Sequence, residues 1–298
     1  MVATQVKLLK YSLSEQIYEG ANTIVYRGIR ELDQQPVILK ILRNDYPRFN
    51  ELVQFRNQYT IAQKLKLSGV VKPYSLENYR NGYVLVMEDF GGISLQTYMT
   101  SLGIGETGDR IQNSEFSLAK IQNPKSKIQN LHPPHPIPLD EFLPIAIQIA
   151  DILNGLYRHR VIHKDLKPAN LLINPETKQV KLIDFSIASL LPRETQEIQN
   201  PNGLEGTLAY MSPEQTGRMN RGIDYRTDFY SLGVTFYELL TGQIPFITND
   251  PMELVHSHIA KQPVSVHALN PNLPVILSDM VEQLMAKNAE DRYQTALG

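Results

Sequence analysis

The chain has 298 residues and a mass of 33.9 kDa, with 29 basic against 31 acidic side chains, a formal net charge of −2 and a pI near 6.4. This is enough chain for one large domain or two lobes, and the balanced charge gives no signal for nucleic acid or an anionic membrane. No apolar run is long enough to span a membrane, Met1 to Lys10 lacks a secretory apolar core, and the absence of cysteine excludes disulfides, thiolate zinc sites and a cysteine nucleophile, so a cytoplasmic protein is expected.

The first hundred residues read mostly as strands. Ile24-Val25-Tyr26 and Val37-Ile38-Leu39 are β-rich and flank a polar turn at Glu31 to Gln35. Glu51 to Leu67 reads as a helix with Leu52, Phe55, Tyr59, Ala62 and Leu65 on one stripe, and Tyr83 to Met87 as a further strand. Residues 101–138, polar and ending in His132-Pro133-Pro134-His135-Pro136, read as a mobile surface insertion with both histidines solvated.

Beyond it the chain turns helical. Phe142, Ile145, Ala146, Ile149, Ile152, Leu153 and Leu156 form one face, and Pro144 places the helix start close by. Val161-Ile162, Leu171 to Ile173 and Val180 to Ile183 are short strands, the last two joined by a turn at Asn174-Pro175-Glu176-Thr177. Asp228 to Leu240 is a second helix, with Phe229, Leu232, Gly233, Phe236 and Leu240 on one face and Gly242 as its C-terminal cap. Asp250-Pro251-Met252-Glu253 carries the pattern of a capping box opening a third, and Leu277, Met280, Val281 and Leu284 outline a fourth. No internal repeat is visible. Strands first and helices later predict an α+β chain, a small β-rich lobe on a larger helical one.

The densest chemistry is His163-Lys164-Asp165-Leu166-Lys167-Pro168-Ala169-Asn170, followed by Asp184-Phe185-Ser186 at the end of a strand. Phosphoryl transfer needs such a set. Asp165 is a carboxylate able to orient an acceptor hydroxyl and take its proton. Lys167 supplies a cation for the γ-phosphoryl, and Asn170 and Asp184 supply hard oxygens for Mg²⁺.

At these residues the sequence resembles the eukaryotic-type protein kinase family, from about Tyr11 to Leu297. Val37-Ile38-Leu39-Lys40 is similar to the family's V-A-I-K, Ser212-Pro213-Glu214 to its A-P-E, Asp228 to its buried helix-capping Asp, and Arg292 to the Arg that pairs with the A-P-E glutamate. The resemblance implies a bilobal fold, with residues 1–90 as small lobe and hinge and 91–298 as large lobe. It implies ATP and Mg²⁺ as cofactors, with adenine between the lobes. It puts Lys40 on the α- and β-phosphates, Met87 behind the adenine, Glu88 and Phe90 at its edge, and Ile17 and Val25 over one ring face.

Four departures stand out. The pattern G-x-G-x-x-G-x-V, aligned on Val25, has Tyr18, Gly20 and Thr23 at its glycine positions, which predicts a stiffer loop and a looser grip on phosphate. The helix partner of Lys40 falls on Gln58, with Glu51 as the alternative. Lys164 stands where many kinases have Arg, and Ser186 where they have Gly. With Lys164 in place, phosphorylation of Thr195 is expected to change activity little. Thr207 matches the family Thr whose hydroxyl reaches the catalytic Asp and Lys, a positioning role.

The segment Gly206 to Arg218 is similar to a cyanobacterial-type group in which a Ser/Thr kinase domain opens a longer protein with ATPase, GAF and histidine kinase modules. A chain stopping at Gly298 would then be truncated. The reading that results is ATP-dependent phosphorylation of protein Ser/Thr hydroxyls. The alternatives are a feebly active, regulatory kinase-like domain and a small-molecule kinase; Ser212-Pro213-Glu214 argues against the latter.

Overall fold

The computed structural model of the chain describes residues 10–102, 134–190, 207–219 and 221–296. They fall into two compact units. One holds the chain up to Lys64 together with Val71–Gly91; the other holds Leu65–Val70 and the described chain from Gly92 onward.

The first unit is a five-stranded antiparallel sheet and one helix. Its strands are β1 (Tyr11–Glu19), β2 (Thr23–Arg30), β3 (Gln35–Leu42), β4 (Pro73–Tyr79) and β5 (Gly82–Glu88), in the order β1-β2-β3-β5-β4. Period-two alternation divides the two faces. Val37, Leu39 and Ile41 of β3 with Val84 and Val86 of β5 form a buried core closed by Tyr11. Opposite Val25, Lys40 and Leu85 run in one row across β2, β3 and β5, and Arg27, Ile38 and Met87 in the next. The helix α1 (Phe49–Lys64) starts earlier and ends sooner than the apolar stripe predicts. It buries Phe55, Ile61 and Ala62, and the polar Gln58 with them. Leu52 and Tyr59, expected on that stripe, are only half-buried.

In the second unit, β6 (Ile93–Ser94) leads into α2 (Leu95–Leu102). Most of the expected insertion, including His132, lies outside the described residues. Its far end is packed: Ile137 is buried and its N–H donates to Leu239 O (2.7 Å), while His135 N donates to Met99 O (3.2 Å). His135 is half-buried rather than fully solvated. α3 (Leu139–Arg158) starts at Pro138, whose carbonyl accepts from Glu141 N and Phe142 N. Pro144 is thus in the second turn, exposed, and not at the start the sequence suggested. It leaves Asp140 O without an i+4 donor, a tolerable loss on the solvent side.

The strands β7 (Val161–Ile162), β8 (Leu171–Ile173), β9 (Val180–Leu182) and β10 (Ser189–Leu190) follow; β6, β8 and β9 form one small sheet, and β7 pairs β10. The β8–β9 turn is the expected one, with Asn174 Oδ1 accepting from Glu176 N and Thr177 N. The helices α4 (Arg226–Thr241), α5 (Pro251–Ala260), α6 (Val266–Leu269) and α7 (Val275–Leu284) complete the unit. α4 was expected to bury one face; every residue from Thr227 to Leu240 is buried. Its interior polar side chains are bonded within the fold, as where Thr235 Oγ1 donates to Ser231 O (2.8 Å). Gly242 caps it in the left-handed region as read. At α5, Asp250 Oδ1 accepts from Met252 N (2.8 Å), but Glu253 turns to Thr248 Oγ1 (2.6 Å), so the box closes through Thr248, which also accepts from Asp250 N.

The strongest buried polar contact joins Glu214 and Arg292. Nη1 donates to Oε1 (2.7 Å) and Nη2 to Oε2 (2.9 Å), and Thr227 Oγ1 adds a third bond (2.8 Å). Carbonyls of Ala286, Arg226 and Lys287 take the remaining guanidinium donors. Burial alone would raise the Glu214 carboxyl, but the bonds and charge of Arg292 hold it below its ordinary 4.5. Glu214→Ala is expected to cost roughly 3–5 kcal/mol, because it strands a buried guanidinium. Urea denaturation checks this. Since the folded carboxyl is the stronger acid, the pair's contribution is complete above the ordinary 4.5 and is lost as pH falls through the lowered value, so the wild-type advantage over Glu214→Ala should shrink in acid.

Candidate active site

The site residues read from the sequence divide between the units. Ile17, Gly20, Val25, Lys40, Glu88 and Phe90 belong to the first, and Asp165, Lys167, Asn170 and Asp184 to the second.

In the first unit Lys40 Nζ donates to Gln58 Oε1 at 2.9 Å and lies 5.6 Å from the Phe55 ring centroid. The α1 partner is therefore Gln58. Glu51 is committed elsewhere, accepting from Arg48 N (2.7 Å) in the first turn of α1. An amide oxygen still accepts from an ammonium, though without the charge assistance of a carboxylate. Ile17 sits at a bulge in β1, half-buried, next to the Tyr18–Val25 pair. Gly20 N donates to Thr23 O (2.8 Å) and closes the hairpin. Glu88 is fixed at both ends of the residue: its N–H donates to Lys72 O and its Oε1 accepts from Lys72 N. One anchor was not read from the sequence. Arg27 Nε donates to Asp89 Oδ2 (2.6 Å) and Nη1 to Glu15 Oε2 (3.0 Å), tying β1 and β2 to the segment after β5. Arg27 and Asp89 are far apart in sequence, and no motif joins them.

In the second unit the segment after β7 is held on every side. Asp228 lies in the first turn of α4, where its carboxylate caps no helix N–H; Oδ2 accepts from His163 N (2.7 Å) and Oδ1 from Lys164 N (2.8 Å). Burial pushes this carboxyl above its ordinary range, and the two N–H donors pull it part of the way back. His163 is fully buried. Its Nδ1 accepts from Asp165 N (3.3 Å), so Nε2 carries the proton and donates to Ile183 O (2.9 Å). The imidazole thereby links the segment to the strand end before Asp184, with its edge against Phe185. Lys164 and Asp184 both have positive φ, 69° and 66°.

Within this frame the predicted acid, base and amide converge. Asp165 Oδ2 accepts from Lys167 Nζ (2.7 Å) and Asn170 Nδ2 (2.9 Å), and Oδ1 accepts from Thr207 N (3.0 Å). Lys167 Nζ also donates to Thr207 Oγ1. Thr207 thus holds Lys167 through its hydroxyl, as expected, but Asp165 through its backbone N–H. Ile183 N donates to Asn170 O (3.0 Å), bringing Asp184 and Asn170 to adjoining strand ends. Among the described residues no group of three or more His, Cys, Asp or Glu converges. A two-residue oxygen set of one carboxylate and one amide suits Mg²⁺, which keeps water and phosphate oxygens in its other positions. Asp tolerates the left-handed backbone at Asp184 better than most residues.

The segment from Thr207 to Thr216 is tied to both sides. Tyr210 Oη donates to Glu238 Oε2 (2.5 Å), Ser231 Oγ to Tyr210 O (2.8 Å), and Gln215 Nε2 to Lys164 O (2.9 Å). The spacing Ser212-x-x-Gln215 is that of a capping box, present here, and was the available signal for Gln215. Thr195 lies outside the described residues.

The sequence pattern of the protein kinase domain family matches residues 11–296. The chain belongs to this family. The kinase domain is 27% identical over 288 residues to a probable serine/threonine-protein kinase of Clostridium acetobutylicum, covering 96% of this chain and 38% of that protein. It is 29% identical over 290 residues to serine/threonine-protein kinase PrkC of Bacillus subtilis, covering 96% and 39%. Hybrid signal transduction histidine kinase G of Dictyostelium discoideum is 33% identical over 229 residues, 54% of this chain and 7% of that protein. The chain spans about two-fifths of the length of the first two. Among the described residues no helix is long and apolar enough to cross a membrane.

Thr207→Ala should cut phosphoryl transfer substantially, because it frees Lys167 from one of its two anchors, while ATP still binds and melting is unchanged. Thr207→Ser, which restores the hydroxyl, should recover most of the rate. Full activity in Thr207→Ala would refute the positioning role.

Proposed function

We propose that this kinase domain transfers the γ-phosphoryl group of ATP to Ser and Thr hydroxyls of proteins. The observation that carries the reading is the carboxylate of Asp165, which accepts from Lys167 and Asn170 on one oxygen and from Thr207 on the other. Three fixed donors keep it aimed before any substrate arrives. In this role Asp165 orients the acceptor hydroxyl and takes its proton as the oxygen bonds to phosphorus and ADP leaves. Lys167 offsets charge on the transferred group. Asn170 and Asp184 would hold Mg²⁺, which when bound neutralises phosphate charge. Lys40, steadied by Gln58, would meet the α- and β-phosphates. Ile17 and Val25 would cover the base, and Glu88 and Phe90 would meet its edge.

Choice of Ser and Thr over Tyr rests on Lys167, two residues after Asp165, and on relatives whose names specify Ser/Thr kinases. The hybrid histidine kinase among the relatives supports placing this domain in a longer signalling protein, and the resemblance at Gly206 to Arg218 implies ATPase, GAF or histidine kinase modules there. Protein substrates are the partners this reading requires, residues 1–90 and 91–298 its two lobes, and the cytoplasm its setting.

Asp165→Asn should lower transfer by roughly 10²- to 10⁴-fold, the usual worth of a positioned acid or base. Asp184→Asn, which retains a side chain suited to positive φ, should abolish Mg²⁺-dependent turnover without unfolding the domain. Labelled phosphate transfer from ATP to a generic protein and to the chain itself measures both. Near-normal turnover in Asp165→Asn would overturn the assignment.

A further inference from the structure

The tip of the β1–β2 hairpin carries a side chain where the family's glycine pattern has none. Tyr18 stands opposite Val25 in register, Val25 opposite Lys40, and Lys40 opposite Leu85. Directly opposed residues on antiparallel strands project from the same face. Tyr18 therefore shares a face with the Lys40 side chain and lies across the sheet from the Val37, Leu39 and Ile41 core. Its ring folds along the tip: a Cβ added to Gly20 would lie 2.6 Å from Tyr18 Oη and 2.9 Å from Cε1. The missing side chain at position 20 leaves the space that the phenol ring occupies.

The phenol is available. Tyr18 is 57% exposed, and among the described residues its hydroxyl takes no hydrogen-bond partner. Gly20 N, the donor that the remaining glycine could offer a phosphate, is engaged by Thr23 O (2.8 Å). At the tip the Gly20 N–H is taken, and a hydroxyl has been gained on the Lys40 face. We infer that Tyr18 Oη is a ligand of the nucleotide's phosphate chain, donating to a phosphate oxygen where glycine amides do so in the pattern. The inference rests on the kinase reading. It changes the expectation of a looser phosphate grip into a grip made by a side chain.

The test compares wild-type chain and Tyr18→Phe by calorimetric titration with Mg²⁺–ATP and with adenosine, which lacks phosphate. Loss of a hydrogen bond to a charged oxygen should weaken ATP by roughly five- to twentyfold and leave adenosine within about twofold. A second readout is nitration by tetranitromethane, mapped by peptide mass: ATP should protect Tyr18 and adenosine should not. Equal or tighter ATP binding in Tyr18→Phe, or nitration indifferent to ATP, overturns the assignment, and tighter binding would make Tyr18 an obstacle to the nucleotide. Should the wild-type chain bind neither ATP nor adenosine, the kinase reading fails together with it. Normal wild-type binding with an indifferent Tyr18→Phe overturns the tyrosine's role alone.

Discussion

The carboxylate of Asp228, buried within α4, accepts two consecutive backbone N–H groups, those of His163 and Lys164. Much of the second unit's geometry depends on that contact. Lys164 adopts positive φ, which a non-glycine residue holds only when its surroundings fix it. The residue after it is Asp165. A carboxylate is costly to bury, as its raised pKa reflects, and its two amide partners offset part of that cost. α4 can serve as the fixed point because it is buried on every side. A surface helix would transmit its own fluctuations to the loop.

From that anchor the polar ties run outward in two directions. His163, in one defined tautomer, passes the constraint to Ile183 O and so to the strand end carrying Asp184. Gln215, through Lys164 O, passes it to the segment that also supplies Thr207 and Tyr210. Side chains read as separate chemical parts thus share one scaffold. Glu214 and Arg292 fasten the far end of the same segment and make no bond to Asp165, Lys167 or Thr207. Buried bidentate charge thus holds one end of the segment, and part-buried bonds around Asp165 hold the other.

The sequence shows best what is local and chemically dense. The run from His163 to Asn170, Asp184, and the spacing that selects Gln58 are legible because each role needs a particular residue type at a particular offset. The α+β order is legible for the same reason in its apolar runs. What escapes is of two kinds. β1 and β4 are the edges of the five-stranded sheet, half-exposed and polar, so Tyr11–Glu19 and Pro73–Tyr79 lack the apolar runs of β3 and β5. Long-range bonds such as Arg27 to Asp89 and Gln215 to Lys164 have no signature at all, since the partners meet only in the fold. α4 shows a third limit. Ser231, Thr235 and Glu238 fall outside the apolar face read for this helix, yet all are buried and bonded. Polarity predicts exposure only where no partner waits inside.

The claim that Asp228 fixes the loop is tested most directly by amide hydrogen exchange in Asp228→Asn, a variant of equal shape that turns one acceptor into a donor facing an N–H. The account predicts faster exchange at His163 and Lys164 amides, with α4 itself still protected to wild-type levels. Unchanged protection at both amides would contradict it, and would move the control of Asp165 from α4 to the hydrogen bonds of His163 and Thr207.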